Sequence, residues 1–241
     1  MPLIGQTNAV ALSPTPSQPL TSIDPYTYQM TSTTQMGENV ITVHFLKGKT
    51  VTGEFEVDCC YECESGSVSR TTGRSFFLFK KDAEKRIEIY EKDGKRILDF
   101  PGQDLASSDN GRFAVYAGLN EEVDVSSGKK LFIRDVDRHF VSHFHTVVPG
   151  VPKSVSDNGK LIVLWCPSRH SELGNFSVIS NKGKKIWEIA GFYKFNGFSD
   201  GGKRVSFLNI KTNNVEYYDS ESGRSLLKIT QKMFRLIKTT P

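Results

Sequence analysis

The 241-residue chain has no apolar run near the 18 residues that a membrane-crossing helix needs, which excludes a helical membrane span. Its first 46 residues contain no Lys or Arg, so the basic start of a secretory signal is lacking, and Gln6, Thr7 and Asn8 break up the short apolar stretches before Leu12. Localisation stays open on these grounds: cytoplasmic, or exported from a start other than Met1. Charge of one sign is scarce too. The balance of 31 Lys+Arg against 27 Asp+Glu leaves +4, too thin for the clustered basic face of a nucleic-acid binder. Four cysteines are too few for a disulfide scaffold. Cys59, Cys60, Cys63 and Cys166 could be thiols, disulfides or ligands; Cys60 and Cys63 have the spacing of half a zinc site, but no second pair follows. Gly-x-Ser-x-Gly, His-Glu-x-x-His and calcium-loop patterns are missing. Lys47-Gly48-Lys49-Thr50 has the tail of a phosphate loop, yet Val43 stands where its leading glycine belongs. No cofactor is expected.

Residues 1–37 are rich in Thr, Ser, Pro and Gln and poor in large apolar groups, so they read as a flexible leader ahead of a repeat domain over 38–241. Ser108-Asp109-Asn110-Gly111 recurs as Ser156-Asp157-Asn158-Gly159 and Ser199-Asp200-Gly201-Gly202, with a weaker copy at Thr71-Thr72-Gly73. The last glycines, at 73, 111, 159 and 202, have a mean spacing of 43 residues, the size of a four-stranded propeller blade. A short apolar strand follows each copy, as in Phe76-Phe77-Leu78-Phe79 and Leu161-Ile162-Val163-Leu164, and Asp-Asn-Gly supplies the positive-φ residues of the tight turn before it. A second element, a strand and a Gly-Lys or Gly-Arg turn into another strand, follows with its glycine at 94, 128, 183 and 223.

These residues resemble the WD40-like, YVTN and quinoprotein-type β-propeller repeats over residues 71 to about 230, most clearly at Val155-Ser156-Asp157-Asn158-Gly159-Lys160 and Tyr218-Asp219-Ser220-Glu221-Ser222-Gly223-Arg224. The chain departs from true WD40 repeats in lacking their Gly-His and Trp-Asp pairs, and only Trp187 sits where quinoprotein repeats carry tryptophan. The resemblance implies an all-β propeller of ~43-residue four-stranded blades: four clear repeats, and a fifth if the hairpin over residues 40–57 is completed by a strand near Met233 to Ile237. A larger ring shared between two chains is the rival arrangement.

The candidate chemistry is Asp135-Val136-Asp137-Arg138-His139-Phe140-Val141-Ser142-His143-Phe144-His145. On a strand, His139, Val141, His143 and His145 share a face with Asp137, the spacing of a divalent-metal site. A solvated face opposite a Phe-rich one explains the same alternation without metal. Lysine clusters at 80, 81 and 85, with Arg86, and at 228, 232 and 238, with Arg235, read as solvated strand edges. The expected function is a non-enzymatic propeller module that binds a protein partner or another ligand, or self-associates, through its loops. The alternative is a propeller enzyme or sensor with a metal or redox cofactor near the ring axis, His143 and His145 pointing into the channel.

Overall fold

The computed structural model describes residues 25–35, 38–57, 62–119, 129–168 and 171–230, and they form five antiparallel sheets that follow one another along the chain. The first has three strands, β1 (Tyr26–Gln35), β2 (Glu38–Lys47) and β3 (Thr50–Val57). The other four have four each, in chain order from inside to outside. The second sheet holds β4 (Glu62–Val68), β5 (Ser75–Lys81), β6 (Glu84–Tyr90) and β7 (Arg96–Pro101); the third holds β8 (Gln103–Ser107), β9 (Phe113–Ala117), β10 (Lys129–Asp135) and β11 (Phe140–Thr146). The fourth holds β12 (Val151–Val155), β13 (Leu161–Ser168), β14 (Ser171–Ser180) and β15 (Lys185–Ile189); the fifth holds β16 (Tyr193–Ser199), β17 (Arg204–Asn209), β18 (Asn214–Asp219) and β19 (Ser225–Thr230). Each is one blade of a β-propeller, and the inner strands β4, β8, β12 and β16 line a shared axial cavity.

The second strands are continuous apolar runs because both their faces are covered. Phe76 and Leu78 of β5 join the cluster between the second and third sheets, with Ala114 and Tyr116 opposite. Phe77 and Phe79 point the other way, into a cluster with Val43, Phe45 and Val57 of the first sheet. Two further clusters join the third sheet to the fourth and the fourth to the fifth. All four are apolar interfaces between neighbours, the packing that lets each repeat bury what it cannot bury alone.

The Asp-Asn-Gly turns do more than reverse the chain. The backbone N–H of Asn110 donates to Asp157 Oδ1 at 2.9 Å, and its side-chain amide donates to the Asp157 carbonyl at 3.1 Å. Ser69 Oγ donates to the Asp109 carbonyl at 2.8 Å, and Thr72 Oγ1 to the Asn110 carbonyl. The turns of the second, third and fourth sheets are therefore stapled one to the next. The weak copy at Thr71-Thr72-Gly73 holds the same place as the strong ones.

Two expectations change. The leader does not reach residue 37, since Tyr26–Gln35 is a strand paired along its length with β2. Tyr28 and Met30 face the apolar cluster there, and Thr31 and Gln29 lie on the opposite face. Next, Gly128 lies outside the described residues, and Lys129–Asp135, expected to follow the turn between the third and fourth strands of its repeat, is the third strand itself. That turn lies at 136–139, where His139 takes the positive φ (51°) that Gly94, Gly183 and Gly223 take in the other blades. The first sheet has three strands among the described residues. The turn glycine Gly94 abuts Glu54 of β3 as Gly183 abuts Phe144 and His145 of β11 and Gly223 abuts Trp187 of β15, so β3 is an outer strand and a completing strand would pair with the inner side of β1. The strand expected near Met233 to Ile237 lies outside the described residues.

Candidate functional site

The axial cavity has a volume of about 340 Å³ and draws Ser65 to Val68 from β4, Leu105 to Asp109 from β8 and the turn after it, Pro152 to Ser154 from β12 and Phe195 to Gly197 from β16. Small and hydroxylated residues dominate this lining, with Leu105, Lys153 and Phe195 as the larger side chains among them. Ser67 and Ser107 hydroxyls share a hydrogen bond at 2.8 Å, and Ser154 Oγ reaches the Ser107 carbonyl at 3.5 Å. Asp109 is the acid of this wall. Burial, reinforced by the nearby charge of Asp157 and opposed by Arg70, pushes its carboxyl above the ordinary range. Lys153, on β12 of the neighbouring blade, is the cation of the lining. The arrangement offers hydroxyls, one acid and one cation to a ligand at the axis.

Lys153 also lines a second cavity of about 290 Å³ between the fourth and fifth sheets, continuous in its lining with the first through Phe195. Trp165, Phe176, Tyr193 and Ile210 make its walls. The Lys153 ammonium lies 5.9 Å from the Trp165 ring centroid, and that of Lys211 lies 3.6 Å from the Phe192 ring beside it.

Tyr193 is held from behind by a buried acid that the repeats gave no reason to single out. Glu216 on β18 is 2% exposed; the Tyr218 hydroxyl donates to it at 2.6 Å, the Asn209 amide at 3.1 Å and Tyr193 at 3.4 Å, with Lys228 at 3.4 Å. Glu88 on β6 occupies the equivalent place opposite Phe77, with Tyr90, Arg86 and Arg96 as partners. The available signal was the shared Glu-x-Tyr of Glu88-Ile89-Tyr90 and Glu216-Tyr217-Tyr218. Burial pushes the Glu216 carboxyl up, but its hydrogen bonds and the Lys228 charge outweigh this and hold it below the ordinary carboxylate range. A carboxyl depressed on folding stabilises the fold above its unfolded value of about 4.3, and that contribution is lost as pH falls through the folded value. Glu216→Gln should therefore cost about 1–3 kcal/mol at neutral pH. In urea unfolding across pH, the gap to wild type should narrow in acid; a gap that stayed constant would contradict the assignment.

The histidines do not meet at the axis. His143 and His145 lie on β11, the outer edge of the third sheet, both exposed, with ring centroids 6.5 Å apart. His139 leaves their face altogether because the chain is turning at that residue in the left-handed conformation, which His tolerates better than most residues with a β-carbon. Among the described residues no group of three or more His, Cys, Asp or Glu side chains is placed to hold a metal ion. Cys59 and Cys60 lie outside the described residues. Burial pushes the Cys63 thiol up to about 11, only partly offset by backbone hydrogen bonding at Ser65, so this sulfur is a poor nucleophile at neutral pH. Of the cations expected at strand edges, Lys85 pairs with Glu64 at 2.7 Å, Arg86 with Glu88 and Lys228 with Glu216, while Lys232, Arg235 and Lys238 lie outside the described residues. No helix among the described residues is long and apolar enough to cross a membrane.

No family model matches the chain, and no curated protein does. Among solved structures it is similar to the β-propeller domain of Myceliophthora thermophila Cps50 (Swd1), at 7% identity over 80% of this chain and 69% of that one, with a TM-score of 0.48. A Bacteroides caccae protein of unknown function is 13% identical over 86% and 74% of the two chains, with a TM-score of 0.49. The propeller domain of the trilobed protease from Pyrococcus furiosus is 14% identical over 68% and 57%, with a TM-score of 0.42. At these identities the likeness concerns the fold alone. By its sheet order and the phase of its turns, the chain is a β-propeller repeat protein.

Proposed function

We propose that the protein is a non-enzymatic binding module that holds a protein segment or other ligand at the axial face of the propeller. The observation that carries this reading is the axial cavity, to which all four complete blades contribute their inner strands, opening sideways into an aromatic groove through Lys153 and Phe195. Rigid strands that converge on one concave surface make a preformed site, and the ordering cost of binding falls on the ligand. Exposed apolar residues beside it, Phe192 and Ile210 among them, suit a protein partner.

Selection of a displayed random peptide library on the immobilised protein tests this. The enriched peptide should bind one to one by calorimetry, should lose affinity when Asn196→Arg fills the axial cavity, and should be recovered chemically unchanged by mass spectrometry. Conversion of the peptide, or enrichment indifferent to Asn196→Arg, would overturn the reading.

A further inference from the structure

We infer that the groove between the fourth and fifth blades is a docking site for an acidic peptide segment carrying a phenylalanine or similar apolar side chain. This rests on the binding-module reading and names the partner class for one part of that surface.

The argument begins with the walls. Phe176 is 3% exposed and forms a floor, and Tyr193 and Phe195 are half-buried above it. Ile210 and Phe192, 47% and 43% exposed, stand at the rim, so apolar surface continues out of the groove into solvent. The volume of about 290 Å³ is at the low end for ligand sites and suits one or two side chains of a peptide.

The charge at the rim is all of one sign. Lys153, Lys194 and Lys211 are exposed, and none has an ion-pair partner among the described residues. Glu216, which the Tyr193 hydroxyl meets, is already engaged by Tyr218, Asn209 and Lys228. Two of the three lysines lie over aromatic rings, which fixes their ammonium groups at the edges of the groove. Three unpaired cations around an apolar slot complement carboxylates on either side of an inserted apolar residue. A nucleic-acid strand is less suited: the floor ring is buried and not open to a stacking base, and no arginine lines the groove.

The test uses the full chain and the peptide acetyl-Asp-Glu-Phe-Phe-Glu-Asp-amide, followed by calorimetry and by tryptophan fluorescence, to which Trp165 at the groove and Trp187 contribute. Saturable one-to-one binding is expected. It should weaken about tenfold with Lys153→Glu, and by a similar factor when alanines replace the two phenylalanines in the peptide. Lys211→Glu, on an exposed turn, is a second charge reversal that leaves the core untouched. Equal affinity for the peptide with lysines in place of its acids, failure to bind, or displacement of the peptide by oligouridylate would overturn the proposal. If library-selected peptides bind but ignore both reversals, the groove assignment fails while the binding-module reading stands; if the library yields no binder, that reading fails first.

Discussion

Phe77→Ala is expected to lower the unfolding free energy by about 3–5 kcal/mol, a large part of the roughly 5–15 kcal/mol that holds a typical domain folded. Phe77 is fully buried, and its ring lies 5.1 Å from Tyr28, 5.8 Å from Phe55 and 6.0 Å from Tyr90, centroid to centroid. Those neighbours come from two different sheets, so the cavity left by the ring opens an interface and not just one strand. The walls are close-packed rings carried on strands of two sheets, which collapse only partly to fill it. Urea unfolding monitored by tryptophan fluorescence would read the loss directly. A change below about 1 kcal/mol would mean that the first and second sheets do not pack through this cluster.

Gly183→Ala is the second large effect. The residue has φ of 81°, and an added β-carbon would stand 2.0 Å from the His145 carbonyl oxygen and 3.1 Å from the Phe144 ring. Left-handed backbone costs a residue with a β-carbon about 1–2 kcal/mol, and the clash is with the backbone of the preceding blade, which has to move. Gly201→Ala is the matched control: φ is 65°, but nothing lies within 4 Å of the added atom. The control should cost only the conformational part, about 1 kcal/mol, and Gly183→Ala at least twice that. Equal losses in thermal unfolding would show that the turn does not touch the neighbouring blade.

The contrast between these two glycines explains much of what was legible in the chain. Asp-Asn-Gly and Gly-Lys turns could be read because positive φ restricts the residue choice and repetition fixed the phase. His139 hid the turn of the third blade because it takes the left-handed conformation without being glycine, which made a turn residue look like a strand ligand. Tyr26–Gln35 escaped because a strand this rich in Thr, Ser and Gln has the composition of a linker, and Tyr28 and Met30 are what mark its packed side. The inter-blade role of Asn110 and Asp157 was equally invisible, since residues 47 positions apart meet only once two blades are stacked.

The candidate site was the least legible part. Trp165, Phe176, Tyr193 and Ile210 look like ordinary strand and turn positions in sequence, and they line one groove because the fourth and fifth sheets meet there. The histidine cluster, the most conspicuous local pattern, fell on an outer edge because alternation along a strand says which residues share a face and nothing about which strand of the blade they occupy.

The most direct test of the binding account is hydrogen exchange of the full chain with and without the Phe-Phe acidic peptide. Protection is predicted at Val151–Val155, at the Trp165 end of β13 and over Tyr193–Ser199. Protection over Phe140–Thr146 on the outer edge instead, or none at the axis with the peptide bound, would contradict it.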